Sequence, residues 1–107
     1  MIKYHKDLYL TDNTEKNLNK IKRKLKFGAG MAGLYVITLS DNPNDMFEII
    51  HASMFKIRRI RHADHLVIGL AESRRKAYGI IEEIVTGHYK RTGRYDGIKA
   101  DFAKVDV

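Results

Sequence analysis

Two stretches of the chain consist almost entirely of apolar and β-branched residues, and a third stretch is shorter. Residues 34–39 and 65–71 have few polar interruptions, which is typical of strands that are covered on both faces. Residues 7–10 form the third candidate, with an alternative start at Tyr4. The pattern therefore predicts three β-strands.

After each strand, apolar residues recur at helical spacing, and this predicts three helices. The first begins near Asp12, which has capping-box spacing with Glu15, and it ends at Gly28. Its apolar stripe consists of Leu18, Ile21 and Leu25. The rest of this helix is rich in lysine, so we expect it to present a basic ridge to water.

The second and third helices are predicted from the same spacing. The second follows the turn at residues 40–45, either as one helix or as two pieces with a new start at Ser53; its apolar positions are Phe47, Ile50, Met54 and Ile57. The third begins after Ser73, ends near Gly93 and contains Gly79, which costs about 1 kcal/mol relative to alanine. Its predicted apolar face holds Ala77, Ile80 or Ile81, Ile84 and His88.

Strand and helix alternate three times along the chain, which predicts the α/β class. The expected domain has a mainly parallel three-stranded sheet with right-handed crossovers, in two or three layers. We assign residues 1–94 to this single domain and residues 95–107 to a tail that forms an edge strand, a partner-binding arm or a disordered segment. Because so small a sheet has two open edges and a limited core, we also expect a homodimer.

Composition limits the chemistry open to the chain. Its 107 residues fit one domain, and the absence of cysteine excludes disulfides, thiolate nucleophiles and cysteine-ligated metals. No apolar run approaches the roughly 20 residues of a membrane span, and residues 1–7 lack the apolar core of a signal peptide. We therefore expect a cytoplasmic protein.

The net charge of +7 is concentrated in two segments. Residues 15–27 carry six basic side chains and one acidic one, and residues 56–61 carry four basic side chains and no acid. Such asymmetry attracts anions, although a solvated face that keeps a small domain soluble is the simpler interpretation. The alternative function is nucleic-acid binding through Lys16, Lys20, Arg23, Lys24, Lys56, Arg58, Arg59 and Arg61.

An anion site is predicted at the carboxyl ends of the strands, where open parallel sheets bind ligands. Arg74 and Arg75 occupy the first turn of the third helix, where the helix dipole disfavours cations by about 0.3–1 kcal/mol each. Cations beside exposed backbone N–H groups suit a phosphate or a carboxylate; otherwise the arginines extend outward or pair with Glu72 or with another subunit. The predicted anion-binding residues are Ser73, Arg74, Arg75, Ser40 and Asn13.

Motifs for cofactors, metals and catalysis are weak. The glycines of residues 28–33 have dinucleotide-fingerprint spacing but follow a helix and precede a strand, the reverse of what pyrophosphate binding needs. His62 and His65 have no third ligand at suitable spacing, and Glu82 and Glu83 diverge by about 100° on a helix. We predict no cofactor, no metal and no catalytic residue, and we favour a non-catalytic binding or assembly domain.

Several segments carry a resemblance to a known family: residues 6–10, 33–43, 47–50 and 67–71, with Ile84, Val85 and Tyr89. On these residues the chain resembles a family of short, uncharacterised bacterial proteins. The matching residues are those of predicted strands and helices. The resemblance therefore implies a shared fold and assigns no activity, cofactor or catalytic residue.

Overall fold

The structure, a computed structural model, describes residues 1–104 of the chain. The strands are β1 (Ile2–Leu10), β2 (Tyr35–Leu39), β3 (Phe47–His51) and β4 (His65–Ala71). They form one sheet in the order β1-β4-β2-β3. The helices are α1 (Asp12–Lys16), α2 (Leu18–Phe27), α3 (Arg58–His62), α4 (Arg74–Thr92) and α5 (Ile98–Lys104), with a 3₁₀ helix at Ala52–Lys56.

The α/β class is confirmed, but the sheet has four strands and mixed direction, so the predicted mainly parallel three-stranded sheet is wrong. β1 and β4 are parallel, whereas β2 runs antiparallel to both β4 and β3. Tyr35 at the start of β2 lies opposite Ala71 at the end of β4. A continuous apolar run indicates that a strand is covered on both faces without encoding its direction, and the mixed sheet buries these strands equally well.

The start of the predicted second helix is wrong, because residues 47–51 form the fourth strand. Phe47 and Ile50 have helical spacing, but in β3 Phe47 and Ile49 face one apolar cluster while Ile50 faces the other. The strand pairs with β2 as a hairpin after the polar turn. Helical structure begins only with the 3₁₀ helix at Ala52–Lys56, and α3 follows it as a second, separate helical piece.

The predicted first helix is divided into α1 and α2 at Asn17. The side-chain amide of Asn17 donates a hydrogen bond of 2.9 Å to the backbone carbonyl of Asn13. This side-chain bond competes with the backbone hydrogen bonds that would continue the helix. At the start of α1 the backbone N–H of Thr11 donates to Oγ1 of Thr14 at 2.9 Å, in place of the predicted capping pair. Gly28 ends α2 in the left-handed conformation with φ of 67°, as predicted.

The third predicted helix is confirmed as α4. Ser73 caps it by accepting a hydrogen bond of 3.1 Å from the N–H of Lys76, and Gly93 ends it with φ of 73°. Its buried residues are Ala77, Ile80, Ile84 and His88, the predicted face. Sequence spacing therefore placed a histidine correctly inside the protein.

The predicted tail contains a helix instead of an edge strand. Ile98 and Phe102 lie one turn apart on α5, and both are buried. They pack in the same apolar cluster as Ile80 and Ile84 of α4, so α5 belongs to the core of the fold. The last three residues of the predicted tail, 105–107, lie outside the described residues.

Apolar clusters on opposite faces of the sheet give the fold three layers. On one face, Leu25 of α2 and Phe55 of the 3₁₀ helix pack with Val36. On the other face, α4 and α5 pack against Ile37 and Ile68. Val36 and Ile37 are neighbours in sequence and face opposite clusters, as strand geometry requires.

Among the described residues, no helix is both long enough and apolar enough to cross a membrane. The cytoplasmic location and the homodimer stay predictions.

Candidate ligand-binding site

A cavity of about 400 Å³ lies where β1 meets α4 and α5. Its polar lining residues are His5, Asp7, Tyr9, His88, Arg91 and Asp101. The apolar part of its wall is formed by Ile84, Ile98 and Phe102. Small-molecule sites have this composition, in which a few convergent polar groups stand in an apolar cleft.

An irregularity in β1 turns His5 into this cavity. Tyr4 pairs with Val67 and Tyr9 pairs with Gly69. From the first pair to the second, the chain advances by five residues along β1 but by only two residues along β4. The extra residues form a bulge, a feature that redirects side chains at sheet edges. Nothing in the apolar and polar pattern of residues 2–10 predicts this bulge, so sequence reasoning missed His5 as a site residue.

His5 has a buried ring nitrogen without a hydrogen-bond partner. Its side chain is only 3% exposed and meets the edge of the Phe102 ring at 5.0 Å between centroids. The backbone N–H of Asp7 donates to Nδ1 of His5 at 3.1 Å, so Nδ1 presents its lone pair. In the neutral imidazole the proton is therefore on Nε2, and this donor has no partner among the described residues.

His88 contacts α5 and the loop before it. It is 2% exposed, and its Nε2 lies 2.6 Å from the carbonyl oxygen of Asp96, which can only accept a hydrogen bond. Nε2 therefore carries a proton. Nδ1 lies 3.1 Å from Oδ2 of Asp101, which is ion-pair distance, although the angle does not make it a hydrogen bond.

His88 and Asp101 line the cavity from the helical layer, whereas His5 lines it from β1. The cavity thus offers the carboxylate of Asp101 on one side and the N–H donor of His5 on the other.

The remaining charges of the cavity have both signs. Arg91 follows His88 by three residues on α4 and brings a guanidinium, while Asp7 brings a carboxylate from β1. A guanidinium and an imidazole N–H suit an anionic oxygen group, and the carboxylates suit hydroxyl or amino groups. A small ligand with both kinds of group fits this arrangement.

The predicted rim site for an anion is not assembled as expected. Asn13 lies near Glu72, at the end of the sheet where β1 and β4 finish. Ser40 follows β2, which runs the other way, and so it lies at the opposite end of the sheet. A common rim requires parallel strands, and the antiparallel β2 removes Ser40 from it. Anion binding by the other residues stays a prediction.

The side chains at the start of α4 already have partners. The Ser73 hydroxyl caps the helix, and the Arg74 guanidinium lies 5.4 Å from the ring of Tyr35. A hydrogen bond with Tyr78 is the main cause that raises the pKa of Arg74 above its ordinary value. Arg75 is exposed and faces solvent. Arg74 therefore extends outward over the ring of Tyr35.

Glu72, which precedes α4, is held by neighbours from two elements. Its carboxylate accepts hydrogen bonds from Lys76 and from the hydroxyl of Thr11. These bonds, that of Lys76 foremost, hold the pKa of Glu72 below its ordinary value. Glu72 thus joins the end of β1 to the start of α4, and it pairs with Lys76 rather than with Arg74 or Arg75.

Three of the predicted nucleic-acid residues, Lys20, Arg59 and Arg61, line three different concave surfaces. The exposed ones are Lys16, Lys20, Arg23, Lys56, Arg58 and Arg59, and Lys24 and Arg61 are half-buried. Lys20 lies beside Asn13, and Arg59 lies on the side of β3. Arg61 instead packs beside Gly28 at the end of α2, close to lysines that were not in the predicted set.

No group of three or more His, Asp or Glu side chains that could hold a metal ion occurs in the described part of the chain. Comparisons with protein-family models, with curated proteins and with solved structures gave no match. The resemblance to a family of short bacterial proteins therefore stays a prediction.

Proposed function

We propose that this protein is a small-molecule-binding domain whose ligand carries an anionic oxygen group, a carboxylate or a phosphate. The ligand binds in the cavity between β1, α4 and α5. The observation that supports this proposal most is the buried Nε2 of His5, which has no hydrogen-bond partner in residues 1–104. The ligand type is the one expected from the sequence, but the binding place differs from the predicted rim.

The N–H donor of His5, which is unpaired among the described residues, lowers the stability of the folded protein. A buried N–H without an acceptor costs about 1–3 kcal/mol, and folded proteins rarely tolerate it without a functional reason. An anionic oxygen in the cavity would accept this proton, and the guanidinium of Arg91 would balance its charge. The apolar wall at Ile84 and Phe102 would cover the carbon part of the ligand.

Binding, rather than catalysis, is the function we infer for this cavity. His88 is already bonded to a backbone carbonyl through Nε2, and its Nδ1 lies beside Asp101. Its role in the proposal is to orient α5. Asp7 completes the site by accepting from a hydroxyl or amino group of the ligand.

Histidine side-chain NMR tests the proposal. The panel consists of inorganic phosphate, acetate, hydroxy acids, amino acids, sugar phosphates and nucleoside monophosphates, each added to millimolar concentration. We expect at least one compound to shift the ring signals of His5 and His88. The variant His5→Phe keeps a ring against Phe102 but removes the donor, and it should weaken binding by roughly ten-fold or more.

His51→Asn, which changes a histidine outside the cavity, is the matched control and should bind like the unaltered protein. Circular dichroism verifies that both variants fold. The proposal is contradicted if no compound of the panel shifts either ring. It is also contradicted if His5→Phe binds the ligand as tightly as the unaltered protein.

A further inference from the structure

A second concave surface, separate from the cavity, has strongly positive lining. It lies between α2, the start of β1 and the end of α3, with a volume of about 700 Å³. Its basic residues are Lys22, Lys26, Arg61 and His62. No carboxylate of residues 1–104 lines it; the nearby Asp64 side chain is 3.1 Å from the amino group of Met1. We call this surface the basic groove.

The fold brings these cations together from two separate segments of the chain. Lys22 and Lys26 lie one turn apart on α2, beside the buried positions Ile21 and Leu25. Arg61 comes from α3 and packs across Gly28, where any side chain would collide with its guanidinium. The two basic segments recognised in the sequence therefore meet at the C-terminal end of α2.

Hydrogen bonds to backbone carbonyls fix the guanidinium of Arg61 in a position that suits anion binding. Its Nη1 donates to the backbone carbonyl of Phe55 at 3.0 Å and also lies 3.4 Å from that of Lys56. A guanidinium has five N–H donors, so these bonds fix the head group and leave other donors for a phosphate. A fixed arginine loses less conformational entropy on binding than a mobile lysine.

Aromatic rings lie next to the lysines of the groove. Nζ of Lys22 is 4.7 Å from the centroid of the Tyr4 ring, and Nζ of Lys26 is 5.6 Å from that of Phe27. Phe27 is 69% exposed, at the last position of α2. Cations that follow a phosphate backbone, together with an exposed ring on which a base can stack, are the combination found in proteins that bind single strands.

We infer that the basic groove binds single-stranded nucleic acid. Phosphates contact Lys22, Lys26 and Arg61, and an unpaired base stacks on Phe27. A duplex keeps its bases stacked on one another and offers the ring no free base face, so the exposed ring favours a single strand. This inference is independent of the ligand proposed for the cavity of His5, so an experiment can contradict one of the two without contradicting the other.

Fluorescence anisotropy with labelled oligonucleotides tests the inference. We expect a 12-nucleotide single strand of RNA or DNA to bind more tightly than a duplex of the same length. Three phosphate contacts predict a slope of about −2 in a plot of log K against log salt concentration. Phe27→Ala should weaken single-strand binding by about ten-fold.

Charge variants distinguish binding in the basic groove from a general electrostatic attraction between the basic protein and nucleic acid. The double variant Lys22→Glu with Lys26→Glu should lose single-strand binding and flatten the salt dependence. The control, Lys6→Glu with Lys90→Glu, makes the same change in net charge at exposed positions outside the groove. We expect it to keep at least a third of the affinity.

Three outcomes overturn the inference. They are the absence of binding at low salt, an equal loss in groove and control variants, and a duplex bound as tightly as a single strand with no effect of Phe27→Ala. Vesicles with anionic lipids form the last arm of the experiment. Capture of vesicles with no capture of oligonucleotide assigns the groove to a membrane surface instead.

Discussion

Nδ1 of His88 and Oδ2 of Asp101 lie 3.1 Å apart and join α4 to α5. His88 is nearly inaccessible to solvent, whereas the carboxylate of Asp101 is 47% exposed. The contact therefore lies at the boundary between the core and water. Together with the bond from His88 to the carbonyl of Asp96, it fixes the last described helix on the sheet.

We expect Asp101→Asn to lower the free energy of unfolding by about 1 kcal/mol, because a contact that is half-exposed to water contributes modestly and His88 stays buried. Urea denaturation followed by circular dichroism measures the change. Asp96→Asn is the control, since the side chain of Asp96 is 78% exposed and pairs only with Arg94 at the surface. A loss in the control as large as that in Asp101→Asn would show that the pair of His88 and Asp101 has no special role.

Two glycines give opposite predictions for the same substitution. Gly79 lies on the exposed side of α4, and a Cβ there would meet nothing within 4 Å. Gly79→Ala should therefore raise the free energy of unfolding by about 1 kcal/mol, through helix propensity alone. An unchanged or lowered midpoint of urea unfolding would contradict this.

Gly69 is buried in β4, and a Cβ there would lie 3.1 Å from Cδ1 of Ile37 and 3.3 Å from Cγ2 of Ile80. Gly69→Ala should destabilise the protein by roughly 1–3 kcal/mol, since a packed core accommodates an added methyl poorly. The same urea series measures both glycine variants. Gly69→Ala as stable as the unaltered protein would show that Ile37 and Ile80 can move aside.

The sequence predicted those parts of the fold that local periodicity determines. α4 has four buried positions at helical spacing between a serine cap and a glycine end, and it was predicted correctly. Phe47 and Ile50 fit a helix equally well, and only their pairing with β2 makes them part of a strand. The direction of β2 depends on which strand it joins, which no pattern within residues 34–39 reveals.

The candidate site was predictable on one side only. His88 follows Ile84 by one turn on an apolar face, so its burial could be read from spacing. His5 enters the cavity through a bulge whose register is set by the pairing of β1 with β4. The basic groove was missed for a similar reason, because Lys22 and Arg61 come together only when α2 and α3 pack around the same end of the sheet.

A free edge at β3 makes the predicted homodimer testable. The N–H of Ser40 donates to the carbonyl of Met46, and the N–H of Ala52 donates to the carbonyl of Leu34, so these two bonds lie at the two ends of the hairpin. Because successive N–H groups along an antiparallel strand point in opposite directions, the N–H of His51, next to Ala52, points away from β2. We propose that two copies pair through this edge. Size-exclusion chromatography with light scattering should then give twice the mass of the chain, and a monomer at every concentration would contradict the proposal.

His51→Pro examines the edge itself. His51 has φ of −65°, which proline adopts without strain, and proline removes the outward N–H. The dimer should weaken by about ten-fold, because two hydrogen bonds are lost across a two-fold axis. His51→Ala removes the same side chain but keeps the N–H, so it should stay as dimeric as the unaltered protein. Equal weakening in both variants would locate the interface elsewhere.

Tyr4 gives the protein a defined response to alkaline pH. Burial of the phenol beneath α2 raises the pKa of Tyr4 from 10.0 to about 12. In the unfolded chain the same phenol ionises near its ordinary value, so the unfolded state releases its proton first. The stability that depends on Tyr4 is therefore fully present below pH 10 and is lost as the pH rises toward 12.

Titration of tyrosine absorbance at 295 nm, compared between the unaltered protein and Tyr4→Phe, should assign a late-ionising phenol to Tyr4. In urea unfolding at a series of pH values, Tyr4→Phe should lose less stability between pH 10 and 12 than the unaltered protein does. Tyr95→Phe is the control, because Tyr95 is 60% exposed and should leave the late step in place. If Tyr4→Phe removes a step near pH 10 instead, the phenol is accessible to water, and the wall of the basic groove at Tyr4 is open rather than packed.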